Sequence, residues 1–225
     1  MKNLLILHGA LGTADLMNPL KSALQDDFKV HSLSFSGHGD APFNENGFGI
    51  EAFAKEVKAY LQTNNLENIP VFGYSMGGYV ALHLESVHPN RFSQITTLGT
   101  KFDWNPESAR HESSRLVPAV ISEKVPRFAA LLDSRHQDWE RLVESTAQMM
   151  RSLGDAPLLT TENMGEIKCP ITIMLGDADN MVSHDESEKA AQNLPNGQFK
   201  LLENCPHPIE KVNAEMLANV LKSLI

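Results

Sequence analysis

Ile69-Pro70-Val71-Phe72-Gly73-Tyr74-Ser75-Met76-Gly77-Gly78 is an apolar run that stops at a serine set between glycines. Its pattern sets the expected architecture. A strand that turns at once into a helix holds its corner residue in an unfavourable backbone conformation and leaves little space beside it. Gly73 and Gly77 provide that space. The pattern G-x-S-x-G lifts a serine hydroxyl to the top of a sheet if a strand precedes it, a helix follows it, and an acid and a histidine arrive later in the chain.

Outward from this stretch, strand and helix signals alternate. Before it, Lys2 to Leu7 is a short apolar run ending at His8-Gly9, and Thr13 to Asp26 carries Leu16, Leu20 and Leu24 at a helical interval. Lys29 to Phe35 reads as a second strand. Ile50, Phe53, Ala54, Val57, Tyr60 and Leu61 then line one face of a helix. After the serine, Gly77 to His88 reads as a helix stopped by Pro89, and Phe92 to Gly99 as a fourth strand. Pro170 to Gly176 is a fifth strand and Gln198 to Leu202 a sixth, each followed by a helix. The first of these helices opens with Ser183 and Glu186 as a capping box; the second carries Ile209, Val212, Met216, Val220 and Leu224. Strands separated by helices imply parallel crossovers, so the expected fold class is α/β, a mostly parallel sheet of about six strands flanked by helices.

One stretch breaks the alternation. Lys101 to Lys168 is too long for a single crossover and contains several helical pieces: one capped at Asn105-Pro106, one from about Val117 toward Leu132 broken by Pro126, and one from Trp139 to Leu153 with Gly154 as its stop. The expected organisation is a core of residues 1–100 and 169–225 with a helical lid inserted at 101–168. Phe102, Trp104, Phe128, Trp139 and the pair Met149-Met150 lie in that insertion. Most of these are expected to seal it onto the core and a few to face a ligand.

Composition narrows the function classes. The chain's 225 residues suit one domain, and 19 Lys and Arg against 28 Asp and Glu leave a formal charge of −9. That charge argues against binding nucleic acid or an anionic membrane surface. The opening run Leu4-Leu5-Ile6-Leu7 is too short for a signal segment or a span, so a cytoplasmic location is the default expectation. Cys169 and Cys205, each followed by proline and without metal-ligand spacing, read as reduced structural thiols.

In parallel sheets ligands bind at the carboxyl ends of the strands. There the sequence places His8-Gly9, Ser75, Asp177 with Asp179, and His207. A serine hydroxyl needs a base to attack, and the base needs a third group to fix its tautomer and stabilise its charge. Ser75, Asp179 and His207 appear in the order this architecture requires. Asp179 is preferred over Asp177 because it lies in the loop beyond the strand end. His184 is the rival base, but it falls inside a capping box; His31, His83, His88, His111 and His136 have duller places in strand, helix or insertion. Negative charge developing on a carbonyl oxygen calls for preorganised N–H donors. Met76, at a helix start, offers one, and Ala10 in His8-Gly9-Ala10-Leu11-Gly12 the other. His8 itself reads as structural, bonding within that loop.

The set HGALG, SGHGD, GYSMGG, GDAD and CPHP, in this order with strand and helix between, resembles the α/β-hydrolase superfamily over nearly the whole chain. The resemblance implies a lidded serine hydrolase. Ser75, Asp179 and His207 match its triad positions, Ala10 and Met76 its anion-hole positions. Three features depart from the pattern: the usual leading pair of strands is absent, Ser34-Phe35-Ser36-Gly37-His38-Gly39 lacks the customary aspartate and proline, and Cys205-Pro206 stands where a glycine commonly precedes the histidine. Two-step acyl transfer on a small or medium carboxylic ester is the expected reaction, with no cofactor and no metal. A thioester, a C–C bond, a lyase step on the same serine, and a non-catalytic ligand-binding protein are the alternatives. Dehalogenase and epoxide-hydrolase chemistry is disfavoured because it needs a carboxylate where Ser75 stands. A small-molecule acyl substrate is the expected partner.

Overall fold

The structure is a computed structural model that describes residues 1–45 and 47–225. Its centre is a six-stranded sheet in the order β2-β1-β3-β4-β5-β6, every neighbouring pair parallel. The strands are β1 (Lys2–Leu7), β2 (Phe28–Leu33), β3 (Ile69–Tyr74), β4 (Phe92–Leu98), β5 (Ile171–Ala178) and β6 (Gly197–Pro206). Parallel strands are covered on both faces, and β1 shows the consequence: Leu4 and Ile6 point to one layer, Leu5 and Leu7 to the other, all fully buried. Helices α1 (Asn18–Leu24) and α10 (Ala214–Leu224) cover the first face. On the second lie α2 (Ile50–Thr63), α3 (Met76–Val87) and α9 (His184–Gln192), packed through Phe53, Val57, Val80, Leu84 and Ala190.

Between β4 and β5 the chain forms α4 (Pro106–Ser113), α5 (Pro118–Lys124), α6 (Pro126–Arg135), α7 (Trp139–Asp155) and α8 (Thr161–Met164). Three of these begin with proline, whose missing N–H costs nothing in a first turn. Asn105 caps α4 by accepting from Glu107 and Ser108 N–H, and Asp138 caps α7 by accepting from Arg141 N–H. The segment has a small core of its own, Ile121, Leu132 and Val143, against which Leu116, Ala129, Trp139 and Leu11 pack.

Several boundaries differ from the sequence expectation for physical reasons. Gly154 does not stop α7 but lies inside it. A side chain there would strike Ala109 of α4, so the glycine serves close helix packing. The expected helix from Thr13 begins as a single 3-10 turn, Asp15–Met17, and becomes α1 only where Pro19 sits in the first turn. Strand β6 runs on to Pro206 because it stays paired with β5 beyond a bulge at Gly176 and Ala178, which carries both strands past the carboxyl edge of the sheet. Ser183 and Glu186 do form the capping box of α9.

Candidate active site

The corner at Ser75 has the geometry its glycines imply. Ser75 sits at φ 50°, ψ −116°, a conformation that costs a non-glycine residue about 1–3 kcal/mol. The fold holds it there: Ser75 N–H donates to Leu98 O (2.8 Å) and Thr100 Oγ1 donates to Ser75 O (2.9 Å). A Cβ on Gly73 would collide with Gly77 and Gly78, and one on Gly77 with the Leu7 and His8 carbonyls, so strand and helix meet closer than any side chain allows.

The extension of β5 and β6 places an acid beside a histidine. His207 Nδ1 lies 2.7 Å from Asp179 Oδ2. The other carboxylate oxygen, Oδ1, accepts N–H bonds from Met181 (2.8 Å) and Val182 (3.0 Å). Burial works to raise the Asp179 pKa, but the His207 contact and the two amides outweigh it, and the net shift is downward. Asp177 is exposed and instead accepts from Cys205 N–H at 3.3 Å. His184 lies half exposed, 3.8 Å from Glu188, with its ring edge-on to Phe199.

Ser75, His207 and Ala10 line two cavities that meet at the serine. One, of about 60 Å³, is walled by Ile50, Met76, Tyr79, Trp104, Met149 and Leu153, with Lys101 and Glu112 as its charged residues. The other, of about 280 Å³, is walled by Leu16, Leu116, Phe128, Thr146 and Ile209, with Arg135 and Glu210 at its charged side. Met150 and Met181 border both. Of the apolar residues of the insertion, Trp104 and Met149 line the smaller cavity and also pack on the main core, Phe102 and Trp139 pack without lining either cavity, and the exposed Phe128 lines the larger one.

The amides of Met76 and Ala10 have no acceptor among the described residues. Met76 opens α3, where N–H groups lack intrahelical partners. For Ala10 the orientation comes from the carbonyl of the same peptide group: Gly9 O accepts from Gly12 N–H (3.1 Å) and from His8 Nδ1 (2.8 Å), which turns the Ala10 N–H the opposite way. The His8 tautomer is determined, because Nε2 must accept from Phe35 N–H at 3.1 Å, leaving the proton on Nδ1. Burial pushes the His8 pKa down to about 4, so the neutral ring persists. His8 thus bonds within its loop and also ties that loop to the end of β2.

Three further residues serve the site without a sequence signal that distinguishes them. Gly99, at φ 63°, passes beneath the acid–histidine pair; a Cβ there would lie 3.1 Å from both Asp179 Oδ2 and His207 Nδ1. The buried Tyr74 hydroxyl donates to His207 O at 2.6 Å and fixes the histidine's backbone. His136, set aside as an ordinary residue of the insertion, is 4% exposed and reaches the Ala10 loop. Gly99 has a faint signal, a glycine closing a strand; Tyr74 and His136 have none. Cys169 and Cys205 are unpaired. Among the described residues no group of His, Cys, Asp or Glu is arranged to hold a metal ion, and no helix is long and apolar enough to cross a membrane.

Comparison with known proteins gives a consistent picture. Residues 2–131 match the family model described as alpha/beta hydrolase fold. The chain is 24% identical over 236 residues to a putative carbamate hydrolase, RutD, of Stutzerimonas stutzeri, covering 97% of this chain and 89% of that one. Over 95 residues it is 34% identical to a pimeloyl-(acyl-carrier protein) methyl ester esterase of Neisseria meningitidis, 42% of this chain and 35% of that protein. Among solved structures, a thermophilic esterase from Thermogutta terrifontis superposes with a TM-score of 0.79 at 18% identity, covering 100% of this chain and 89% of that chain, which speaks to the fold alone.

Proposed function

The chain belongs to the alpha/beta hydrolase fold family, and we propose that it is a serine hydrolase that cleaves a small or medium carboxylic ester through an acyl-enzyme. The observation that carries this reading is the 2.7 Å contact of His207 Nδ1 with Asp179 Oδ2 at the cavity that contains Ser75. The Asp179 carboxylate holds the proton on Nδ1, which leaves the Nε2 lone pair free to accept the Ser75 proton. Ser75 Oγ makes no hydrogen bond among the described residues, so it is free to turn toward Nε2 when substrate arrives.

In the first step Oγ bonds to the ester carbonyl carbon while its proton passes to His207, and the carbonyl oxygen becomes an anion held by the Ala10 and Met76 amides. Collapse of that intermediate breaks the C–O bond and His207 protonates the leaving alcohol. Water then attacks the acyl-enzyme by the same route and releases the acid. The inserted segment acts as a lid, with α4 and α7 on the smaller cavity and α6 and α7 on the larger one, and its apolar residues favour an apolar acyl group. The relatives named as a methyl ester esterase and a putative carbamate hydrolase support an ester, with a carbamate as its near chemical neighbour. The small volume beside Met76 and Tyr79 favours a short acyl chain there.

Labelling with a fluorophosphonate tests the reading. Wild-type protein should be labelled and should turn over p-nitrophenyl butyrate; Ser75→Ala should lose both. A wild-type protein that takes no label would remove the basis for a serine nucleophile.

A further inference from the structure

The anion-hole loop is held from two sides, and one of them is the inserted segment. Leu11, the residue after Ala10, has φ 56°, and its carbonyl is taken up by the inserted segment. That oxygen accepts from His136 Nε2 at 3.0 Å and from Arg135 Nη1 at 3.3 Å, both at the end of α6. Its side chain packs against the insertion's own core of Ile121, Leu132 and Val143 rather than against the main core. His136 is pinned in turn, since its Nδ1 accepts from Gly39 N–H at 2.8 Å and Gln137 N–H donates to Gly39 O at 3.3 Å. A ring that accepts at Nδ1 must donate at Nε2, so the tautomer that holds Leu11 is the one Gly39 imposes. Arg135 also reaches Glu210 at 3.1 Å, in the turn that follows His207.

We infer that Arg135 and His136 are positioning residues that set the Ala10 amide for the transition state by gripping the Leu11 carbonyl, so that the insertion is part of the catalytic machinery as well as a cover. The inference rests on the serine-hydrolase reading above. Gly9 O is fixed from the sheet side by His8, and Leu11 O is fixed from the insertion side; the Ala10 N–H lies between these anchors. Releasing one lets the turn rotate, and a displacement of about 1 Å of an anion-hole donor is worth roughly 100-fold in rate.

The test separates the anion hole from the fold. A trifluoromethyl ketone, attacked by Ser75 to give a tetrahedral anion, requires the Ala10 amide; the methyl ketone of the same chain length binds without forming one. In His136→Ala, kcat should fall roughly 10- to 100-fold with KM changed by no more than about threefold, and affinity for the trifluoromethyl ketone should fall by the same factor as kcat, as expected for an interaction made only in the transition state. Methyl ketone affinity should stay within about threefold. His136→Gln, which keeps a donor and an acceptor, should recover most of the loss. Arg135→Ala should show the same pattern at roughly 3- to 10-fold, because one donor to Leu11 remains. Equal loss of both ketones in His136→Ala, or of neither, overturns the inference. Should His136→Ala fail to fold, an unchanged ratio of the two ketone affinities in Arg135→Ala overturns it. Failure of the wild-type protein to bind the trifluoromethyl ketone more tightly than the methyl ketone overturns the Ser75 reading itself.

Discussion

Replacing Asp179 by asparagine should cripple turnover while leaving the fold intact, and the hydrogen bonds say why. Oδ1 of Asp179 accepts two amide N–H groups, Met181 and Val182, and Oδ2 faces His207 Nδ1. An asparagine must point its NH2 in one of these directions. Toward the amides it would set donors against donors and lose two bonds; toward His207 it keeps both and loses none. The side chain therefore turns its NH2 to His207, which forces Nδ1 to accept and moves the ring proton to Nε2. A ring with Nε2 protonated cannot take the Ser75 proton. The loss from this wrong tautomer is roughly 10⁴ in kcat, about 5 kcal/mol of transition-state stabilisation. Stability should change little, because the loop keeps both amide contacts. Asp177→Asn is the control: its carbonyl oxygen can still accept from Cys205 N–H, so kcat should stay within about threefold. Steady-state hydrolysis of p-nitrophenyl butyrate by purified, folded variants measures both. Activity of Asp179→Asn within tenfold of wild type, or a larger loss in Asp177→Asn, would refute the assignment.

Two other outcomes follow from the site's surroundings. Burial lowers the pKa of His8 from 6.5 to about 4 and moves His38 and His136 in the same direction. A histidine with a lowered folded pKa binds its proton more readily when unfolded, so its contribution to stability is intact above about 6.5 and is lost as pH falls toward the folded value; for His8 alone that loss is roughly 3 kcal/mol. The lowered Asp179 pKa acts only below about 3.8, so urea unfolding should weaken steeply between pH 6.5 and 4, and a flat profile there would contradict it. Gly99→Ala places a Cβ 3.1 Å from both members of the acid–histidine pair at φ 63°, whereas Gly47→Ala meets a larger backbone cost at φ 122°, outside the left-handed helical well, with nothing within 4 Å. Gly99→Ala should lose about 1–2 kcal/mol of stability and Gly47→Ala at least as much, but only Gly99→Ala should lose kcat, by roughly 10-fold or more. Equal kinetics in the two variants would show that Gly99 is needed for the backbone alone.

What the sequence could reveal depended on how local the signal was. The strand run before Ser75 and the glycines around it are contiguous, and their spacing follows from sterics within one turn of chain, so the corner was legible. The alternation of strand and helix was legible for the same reason, since each element carries its own period. Asp179 and His207 stand out in the sequence as polar residues at strand ends, a rule about position along each strand. By contrast, Gly99 lies under a contact between two other loops, Tyr74 donates to a carbonyl 133 positions away, and His136 grips one 125 positions away. Nothing beside these residues in the chain marks the partner. Gly154 carried a true local signal with the wrong meaning: glycine near a helix end is a common stop, but here it removes a side chain that α4 has no room for.

The histidines divide by what surrounds them, and that division explains how one residue type does opposite work here. His8, His38 and His136 form a contiguous set, with ring centroids 5.0 Å apart for the first pair and 6.0 Å for the second; Phe35 packs on His8 and His38, and Phe48 and Phe53 on His38. Low polarity keeps each ring neutral, and a neutral ring is the only form with both a donor and an acceptor to offer. His8 and His136 use both, passing fixed geometry from β2 and α6 into the Ala10 loop. His207 is instead the ring set against the Asp179 carboxylate, the arrangement the proposed mechanism requires of its base. Acid that titrates the buried set should therefore disturb the loop, because protonating His8 or His136 removes an acceptor on which it depends. Activity lost in that range should return after a pH jump to neutrality only as fast as the loop reforms, and immediate recovery would refute the coupling.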